Sequence, residues 1–437
     1  MADAETADVA AIQGLFGNVD FDSARLQRYE VDGQVPRAAI RASTIGDVER
    51  AQSVATSRDL AVVPMGGRTM LGLGMPPSRY DVALDLFGMN QVVDYEPDDF
   101  TITAQAGMTL ASLQQELAAN GQFLPLDHPR FEQATLGGIC AVGRGGLRRN
   151  ALGGPRDWLI GMRMVKADGT TIKGGGKVVK NVSGYDLPKL FAGSLGTLGV
   201  IAEVTFKLRP QPVSDQVVAL PADSFEQALA ASRAAARAAP FLDGCLALSE
   251  QAAARAAGHG AEILEDRPAL VLRASGLESA ANEVLATALD AAGLEGLQEP
   301  PRRTTAIVES WQAITDCELD TRADHVRLRL GLPPGRLERA RLLISELLPR
   351  VSSWIAAGDS GLLFLETPSA DADSVRALRD GLGPLQGRLS IESAPVELKR
   401  NADVWGPVGP GGRLMHRVKE QFDPEGTLSP GRYVDGI

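Results

Sequence analysis

Cysteine is scarce in this sequence: Cys140, Cys245 and Cys317 are the three among 437 residues. An odd number with no CxxC spacing excludes a disulfide framework and the local signatures of iron–sulfur and zinc-finger sites. All three read as small buried hydrophobes of a chain kept in a reducing compartment. Histidine is almost as rare, at His128, His259, His325 and His416. None stand as HxH or HxxxH, so no metal site is expected. Aromatics make up only 5% of the chain, which leaves Leu, Val, Ile and Ala to build the core. No apolar run approaches the ~20 residues of a transmembrane segment. The opening stretch MADAETADVA has acids and no apolar core, unlike a signal peptide. A soluble, cytoplasmic protein is expected. The net charge of −11 argues against nucleic acid or an anionic membrane as the main partner.

That acidity is unevenly spread. Between Ala134 and Ala192 stand ten Lys or Arg and three Asp or Glu. Such a basic island points to a bound anion, with a salt-bridged surface as the plain alternative. Glycine is concentrated before Pro212. There, short strands are expected at Leu60 to Val63, Val82 to Leu86, Gln91 to Tyr95 and Phe100 to Ala104. A helix capped by Ser43 or Thr44 precedes them, and another spans Thr109 to Ala119. Met162 to Val165, the Asp168-Gly169 turn and Thr170 to Ile172 read as a hairpin, and Val200 to Leu208 as one more strand. After Pro212, alanine-rich helices (Ser224 to Ala238, Glu278 to Ala292, Pro334 to Leu348, Ala372 to Leu382) alternate with strands at Gln216 to Leu220, Leu270 to Leu272, Val326 to Leu330 and Gly361 to Glu366. Two rounds of this pattern imply two ferredoxin-like α+β units sharing a sheet. Pro395 to Pro410 reads as a loop before a last helix, Gly412 to Phe422. The expected division is 1–36, an N-terminal helical segment and linker; 37–212, a first domain; 213–395, an α+β cap; and 396–437, a return to the first domain.

Three glycine clusters carry the chemistry. Val62-Val63-Pro64-Met65-Gly66-Gly67-Arg68-Thr69-Met70-Leu71-Gly72 is a strand running into a turn where backbone N–H groups can converge on an oxyanion. Arg68 and Thr69 would add a charged and a neutral donor. Ala134-Thr135-Leu136-Gly137-Gly138 with Ala141 is the second cluster. The third is Lys180-Asn181-Val182-Ser183-Gly184-Tyr185-Asp186, running into Gly193-Ser194-Leu195-Gly196-Thr197-Leu198-Gly199-Val200-Ile201. No GxGxxG opens a helix after a strand, and Lys177 lacks the following Ser or Thr of a Walker motif. Three clusters inside the basic island indicate a long ligand pressed against backbone.

In this order the clusters resemble the PCMH-type FAD domain shared by vanillyl-alcohol oxidase, D-lactate dehydrogenase and glycolate oxidase. The likeness covers about Arg37 to Leu208 and resumes from Arg417-Val418-Lys419 through Asp423-Pro424 to Ser429-Pro430-Gly431-Arg432. Val178-Val179-Lys180-Asn181-Val182 and Gly184-Tyr185-Asp186 resemble the FAD-binding E subunit of bacterial glycolate oxidase. The resemblance implies a PCMH-type two-subdomain FAD-binding domain with an α+β ferredoxin-like cap. It implies a non-covalent FAD with its pyrophosphate on Met65, Gly66, Gly67, Arg68 and Thr69, and Asp127 beside the cofactor. Ala134, Thr135, Gly137, Gly138 and Ala141 would line the diphosphate and ribityl chain. Gly193, Ser194, Gly196, Thr197, Gly199, Val200 and Ile201 would pass the adenine side. Three positions depart from the family pattern: Arg68 replaces a third glycine, Arg41-Ala42-Ser43 replaces Arg-Pro-Ser, and Ser429 stands where Asn often precedes Pro-Gly.

Hydride transfer from a 2-hydroxy acid needs a base at the hydroxyl and an Arg on the carboxylate. Catalytic relatives carry histidines late in the cap, whereas 362–399 here contains none, and no base is identified. His128 is a candidate for touching the flavin; His416 reads as an ordinary helix residue. The resemblance therefore implies a flavin subunit of a glycolate oxidase complex, partnered by a catalytic FAD subunit and an iron–sulfur subunit. Such a complex would lie in the cytoplasm or at the inner membrane through its partners. A self-sufficient 2-hydroxy-acid dehydrogenase and a scaffold with a vestigial FAD site are the other readings.

Overall fold

The computed structural model describes residues 19–177, 185–293, 301–304, 307–319, 322 and 324–437. The expected Val178 to Val182 and Ser183-Gly184 motifs lie outside them.

The first sheet holds β1 (Val19–Asp20), β2 (Ala38–Arg41), β3 (Val62–Met65) and β4 (Val82–Asp85) in the order β1-β2-β4-β3. Its β2-β4 and β4-β3 pairs are parallel. Between β2 and β3 runs α1 (Ile45–Ser57). Thr44 and Asp47 close its first turn as a reciprocal capping box, each accepting from the other's backbone. The sequence places the end of β3 at Pro64, but the strand continues to Met65, whose carbonyl accepts from Leu86 N at 2.8 Å. Proline is tolerated because β3 is an edge strand of its sheet. The chain's tail covers that edge: Val62 N donates to the Thr427 carbonyl and Ser429 N to the Val62 carbonyl, both at 2.8 Å.

The second sheet takes β5 (Val92–Glu96), β6 (Thr101–Gln105), β7 (Leu159–Val165), β8 (Thr171–Gly175) and β9 (Val200–Lys207), ordered β5-β6-β9-β7-β8 and antiparallel throughout. Two helices pack beside it, α2 (Leu110–Ala118), capped by Thr109, and α3 (Leu136–Val142), capped by Thr135. The β7–β8 hairpin turns where Asp168-Gly169 was expected, Gly169 having φ +84°.

The cap is one eight-stranded antiparallel sheet. Its strands are β10 (Ser214–Pro221), β11 (Gly244–Leu248), β12 (Ala269–Gly276), β13 (Arg302–Arg303), β14 (Val326–Gly331), β15 (Ser353–Ala357), β16 (Leu362–Thr367) and β17 (Arg388–Ser393). They run β13-β10-β12-β11-β15-β16-β14-β17, which is two ferredoxin-like orders joined where β11 pairs β15. Expected helices appear as α4 (Phe225–Ala238), α6 (Glu278–Ala291), α8 (Leu337–Leu347) and α9 (Ala372–Leu382). The sequence reading did not find α5 (Glu250–Gly258) and α7 (Ile307–Asp316). Nor is Pro395 to Pro410 all loop: Val396–Ala402 is helical before the last helix, α10 (Gly412–Phe422). Among the described residues no helix is long and apolar enough to cross a membrane.

Candidate functional site

Where β3 ends, the chain enters the wall of a trough of about 850 Å³, counting its open mouth. None of the N–H groups from Gly66 to Met70 has a backbone acceptor among the described residues. They form a row of donors of the kind that anions occupy. Glycine is needed here for a further reason. A Cβ on Gly66 would collide with the Thr135 side chain, and one on Gly67 would sit on the Gln133 carbonyl oxygen. The first two glycine clusters are thus pressed against each other. Arg68 adopts φ +58°, the conformation a glycine would take freely. Its guanidinium pairs with Asp85 at 3.1 Å and lies 5.3 Å from the centre of the Tyr29 ring, interactions that offset the backbone strain.

The second wall begins at Thr135, whose hydroxyl accepts from Gly138 N at 3.4 Å. A Cβ on Gly137 would lie 2.7 Å from that of Ala106, so the start of α3 sits directly on the strand end behind it. The third wall is Leu195, Gly196, Gly199 and Ile201. The trough therefore gathers Met65, Gly66, Gly67, Arg68, Thr69, Ala134, Thr135, Gly137, Gly138, Ala141, Gly196, Gly199 and Ile201.

The remaining expected site residues stand behind these walls. Asp127 accepts from Arg148 N at 2.9 Å and from the Trp311 indole at 3.0 Å, bracing the cofactor loop against α7. Gly193 donates to the Cys140 carbonyl. Ser194 and Thr197 are buried, linked by a 2.7 Å bond from the Thr197 hydroxyl to the Ser194 carbonyl. Val200 is core. The sequence reading missed Arg432, Leu86 and Ala106 as lining residues. Arg432 donates to the carbonyls of Leu71 (2.5 Å) and Leu73 (2.7 Å), so the tail fixes the trough's outer wall.

His128 is among the residues lining the trough. Gln312 of α7 donates to its carbonyl at 3.2 Å. The ring's Nδ1 lies 2.8 Å from the Pro129 carbonyl, which can only accept, so Nδ1 carries the proton. Nε2 is buried without a partner. Burial chiefly, with the Arg144 charge adding to it, lowers the ring's pKa to about 4 and keeps it neutral.

Beside His128 lies a buried charge cluster that joins the two halves of the molecule. Arg144 donates to Glu318 and, at 2.7 Å, to Glu392, with its guanidinium 4.8 Å from the Phe364 ring centre. Arg329 lies 3.9 Å from the other Glu392 oxygen and its Nε has no hydrogen-bond partner. Burial pushes Glu318 up to about 7 despite Arg144, and its Oε1 is unpartnered. The basic island is largely consumed in such pairs, among them Arg148–Asp243, Arg163–Glu203, Lys166–Asp168, Lys177–Asp94 and Lys189–Asp186. Both readings of the island thus have a counterpart: many of its side chains are paired, and the glycine clusters within it line the trough. Among the described residues no group of three or more His, Cys, Asp or Glu could hold a metal ion.

A long cleft with a row of N–H groups that lack backbone acceptors and walls too close for side chains fits FAD. Residues 36–175 match the family described as FAD binding domain. D-2-hydroxyglutarate dehydrogenase of Xanthomonas citri pv. viticola is 27% identical over 420 residues, 89% of this chain and 88% of that protein. Glycolate oxidase subunit GlcE of Escherichia coli is 38% identical over 159 residues, 36% of this chain and 45% of that protein. The crystal structure of p-cresol methylhydroxylase with substrate bound shares the fold at a TM-score of 0.75 and 16% identity, covering 99% of this chain and 97% of its own. Residues 36–175 thus form an FAD binding domain, and the chain has the PCMH-type fold, with an α+β cap over that domain.

Proposed function

We propose that this protein oxidises the CH–OH group of a small 2-hydroxy acid at its FAD. The observation that carries the reading is the buried cluster beside His128, which offers a carboxyl titrating near neutrality and a cation with spare capacity. Bound FAD supplies the two-electron acceptor. The chain must supply a seat for the substrate carboxylate and an acceptor for the hydroxyl proton. Arg144 has both ends engaged by glutamates, so Arg329 takes the substrate carboxylate. Glu318, with its free Oε1, takes the proton. A carboxylate thus fills the role for which the sequence reading sought a histidine in 362–399. The names of the relatives, D-2-hydroxyglutarate dehydrogenase and glycolate oxidase subunit, support this substrate class. Alignment along nearly the whole chain with the former supports a self-sufficient enzyme.

A second reading is the flavin subunit of a glycolate oxidase assembly, with a catalytic FAD subunit and an iron–sulfur subunit, in the cytoplasm or held at the inner membrane by its partners. The higher local identity to GlcE and the histidine-free stretch favour it. A vestigial site is disfavoured because the glycine-lined trough is intact. We also keep the division at 37, 213 and 396: the first two sheets end at Lys207 and the cap sheet runs from Ser214 to Ser393. The cofactor is proposed to be non-covalent, and acid precipitation should release all the FAD; among the described residues His128 is the histidine that lines the trough, and burial keeps it neutral.

The test is an anaerobic visible spectrum of the purified chain with D-2-hydroxyglutarate or glycolate. Bleaching of the flavin bands near ~450 nm supports the self-sufficient enzyme. Bands that persist alone and bleach only when the catalytic subunit is added support the second reading. Glu318→Gln should keep its FAD and bleach ~10²- to 10⁴-fold more slowly. If it bleaches at the wild-type rate, Glu318 is not the base.

A further inference from the structure

We infer that Arg432 is the cation that neutralises the diphosphate of the bound FAD, meeting it with its Nη1 from the outer wall of the trough. Three side chains of the lining can carry charge: Arg68, His128 and Arg432. Arg68 is neutralised by Asp85 at 3.1 Å, and burial keeps His128 uncharged. Arg432 is 5% exposed and, among the described residues, is bonded to carbonyls and to no carboxylate. Its Nη2 is committed to the Leu71 and Leu73 carbonyls, and its Nε is buried without a partner. Nη1 is neither bonded within the protein nor sealed off as Nε is. In a residue of the lining, it is the nitrogen left to face the trough.

The surroundings of Arg432 are one negative charge short. Lys399 donates to Asp32 and to the Gly72 carbonyl, each at 2.5 Å, and the side chains of the pair are 2% and 8% exposed. Burial lowers the pKa of both cations; Asp32 opposes this in each, and the Arg432 charge adds to it at Lys399. Two buried cations thus share one carboxylate. A guanidinium taken out of water without a counter-charge is costly, and a bound anion removes that cost. The seat for the anion is adjacent. The row of N–H groups from Gly66 to Met70 runs directly into the Leu71 and Leu73 carbonyls that hold Arg432. Those carbonyls and that of Gly72, which would repel a phosphate, are bonded to the two cations. A Cβ on Gly74 would lie 3.7 Å from Arg432 Nη2 and 3.4 Å from Leu195 Cδ1, so the guanidinium stands between this loop and the third wall. Backbone donors bring no net charge to a dianionic diphosphate. A weakly hydrated arginine fork brings it at little further desolvation. The inference rests on the FAD site alone and needs neither the substrate nor the base proposed above.

The test titrates wild-type and Arg432→Gln apoprotein with FAD, with ADP, which keeps the diphosphate, and with riboflavin, which lacks it. Arg432→Gln should bind FAD and ADP about 10- to 100-fold more weakly and riboflavin as well as the wild type does. Unchanged affinity for FAD and ADP would overturn the inference. So would equal losses for all three ligands in a variant that still melts cooperatively, because Arg432 would then only brace the wall. A loss confined to FAD and riboflavin would move Arg432 to the flavin ring and also overturn it. A measurement on protein with Arg432 intact decides the matter if the variant fails to fold. In holoprotein labelled with ¹⁵N-arginine, dipolar recoupling to the ³¹P of FAD should pick out one guanidinium. That signal should persist in Arg68→Gly, which removes the other arginine of the lining. Recoupling to no guanidinium, or recoupling lost in Arg68→Gly, counts against Arg432 directly. None of these readouts depends on turnover, so failure here leaves the oxidase reading standing, and failure of that reading leaves this one intact.

Discussion

Replacing Arg144 with methionine probes the joint between cofactor domain and cap. The Arg144 side chain is 5% exposed and its partners Glu318 and Glu392 are 0% and 4% exposed. Removing one member of a buried ion pair costs about 3–5 kcal/mol, because the charge left behind has neither water nor counter-ion. Arg144 serves two carboxylates, so the upper half of that range is expected at pH 8. The cost should depend on pH in a defined direction. Glu318 already titrates near about 7 in the folded protein, above its unfolded value. A carboxyl so raised binds an extra proton on folding, so its contribution to stability is fully present below the unfolded pKa and is lost as pH rises through the folded one. Without Arg144, Glu318 shifts further up. At pH 5 it folds neutral, and the part of the deficit that came from its unpaired charge disappears. Urea unfolding of wild type and Arg144→Met at pH 5 and pH 8, followed by intrinsic fluorescence, measures both numbers. Adding Glu318→Gln should recover part of the deficit at pH 8, with a coupling of roughly 1–3 kcal/mol. A deficit below about 1 kcal/mol at pH 8, or one equal at the two pH values, would refute the argument.

Two further outcomes follow from close packing. Gly67→Ala places a methyl group on the Gln133 carbonyl oxygen, so the loops must part; FAD binding should be lost and stability should fall by about 1–3 kcal/mol, read by cofactor titration and thermal melting. Lys419, buried, donates to the carbonyls of Thr197 (2.8 Å) and Leu428 (2.9 Å) and to Asp423. Lys419→Met should therefore cost about 3–5 kcal/mol and release the tail to limited proteolysis, while a variant as stable as wild type would show the tail to be held elsewhere.

Local signals carried most of the fold. Of Ser43 and Thr44, the expected caps of the first helix, Thr44 takes the role; the helices expected from Thr109 and Ser224 begin one residue later, with those hydroxyls as caps. The last helix spans Gly412–Phe422 as expected, and its Val418 and Phe422 pack on the second sheet's core. Of the four cap strands that were missed, β11 (GCLAL) and β15 (SWIAA) lie at the centre of the sheet. Central strands covered on both faces show no alternation, and these have few β-branched residues to mark them. In the site, the trough walls were legible because glycines adjacent in sequence are adjacent in space. The charge cluster was not. Arg144 meets Glu318 and Glu392 from 174 and 248 residues away, and only the cap's docking brings them together. His128 was visible, but its tautomer depends on a Pro129 carbonyl that no spacing announces.

The tail bonds to both sides of Val62 through Thr427 and Ser429, and Arg432 reaches the trough wall. During synthesis, which proceeds from the N-terminus, β3 therefore emerges long before its edge can be covered. Until the final helix docks, the nascent protein exposes an unpaired strand edge, a hazard for misassembly. It also presents a cofactor wall with no outer support. Acquisition of flavin colour then works as a completion signal: it marks molecules whose last residues have been made and threaded home, and it sets those apart from prematurely terminated chains that carry every glycine of the trough.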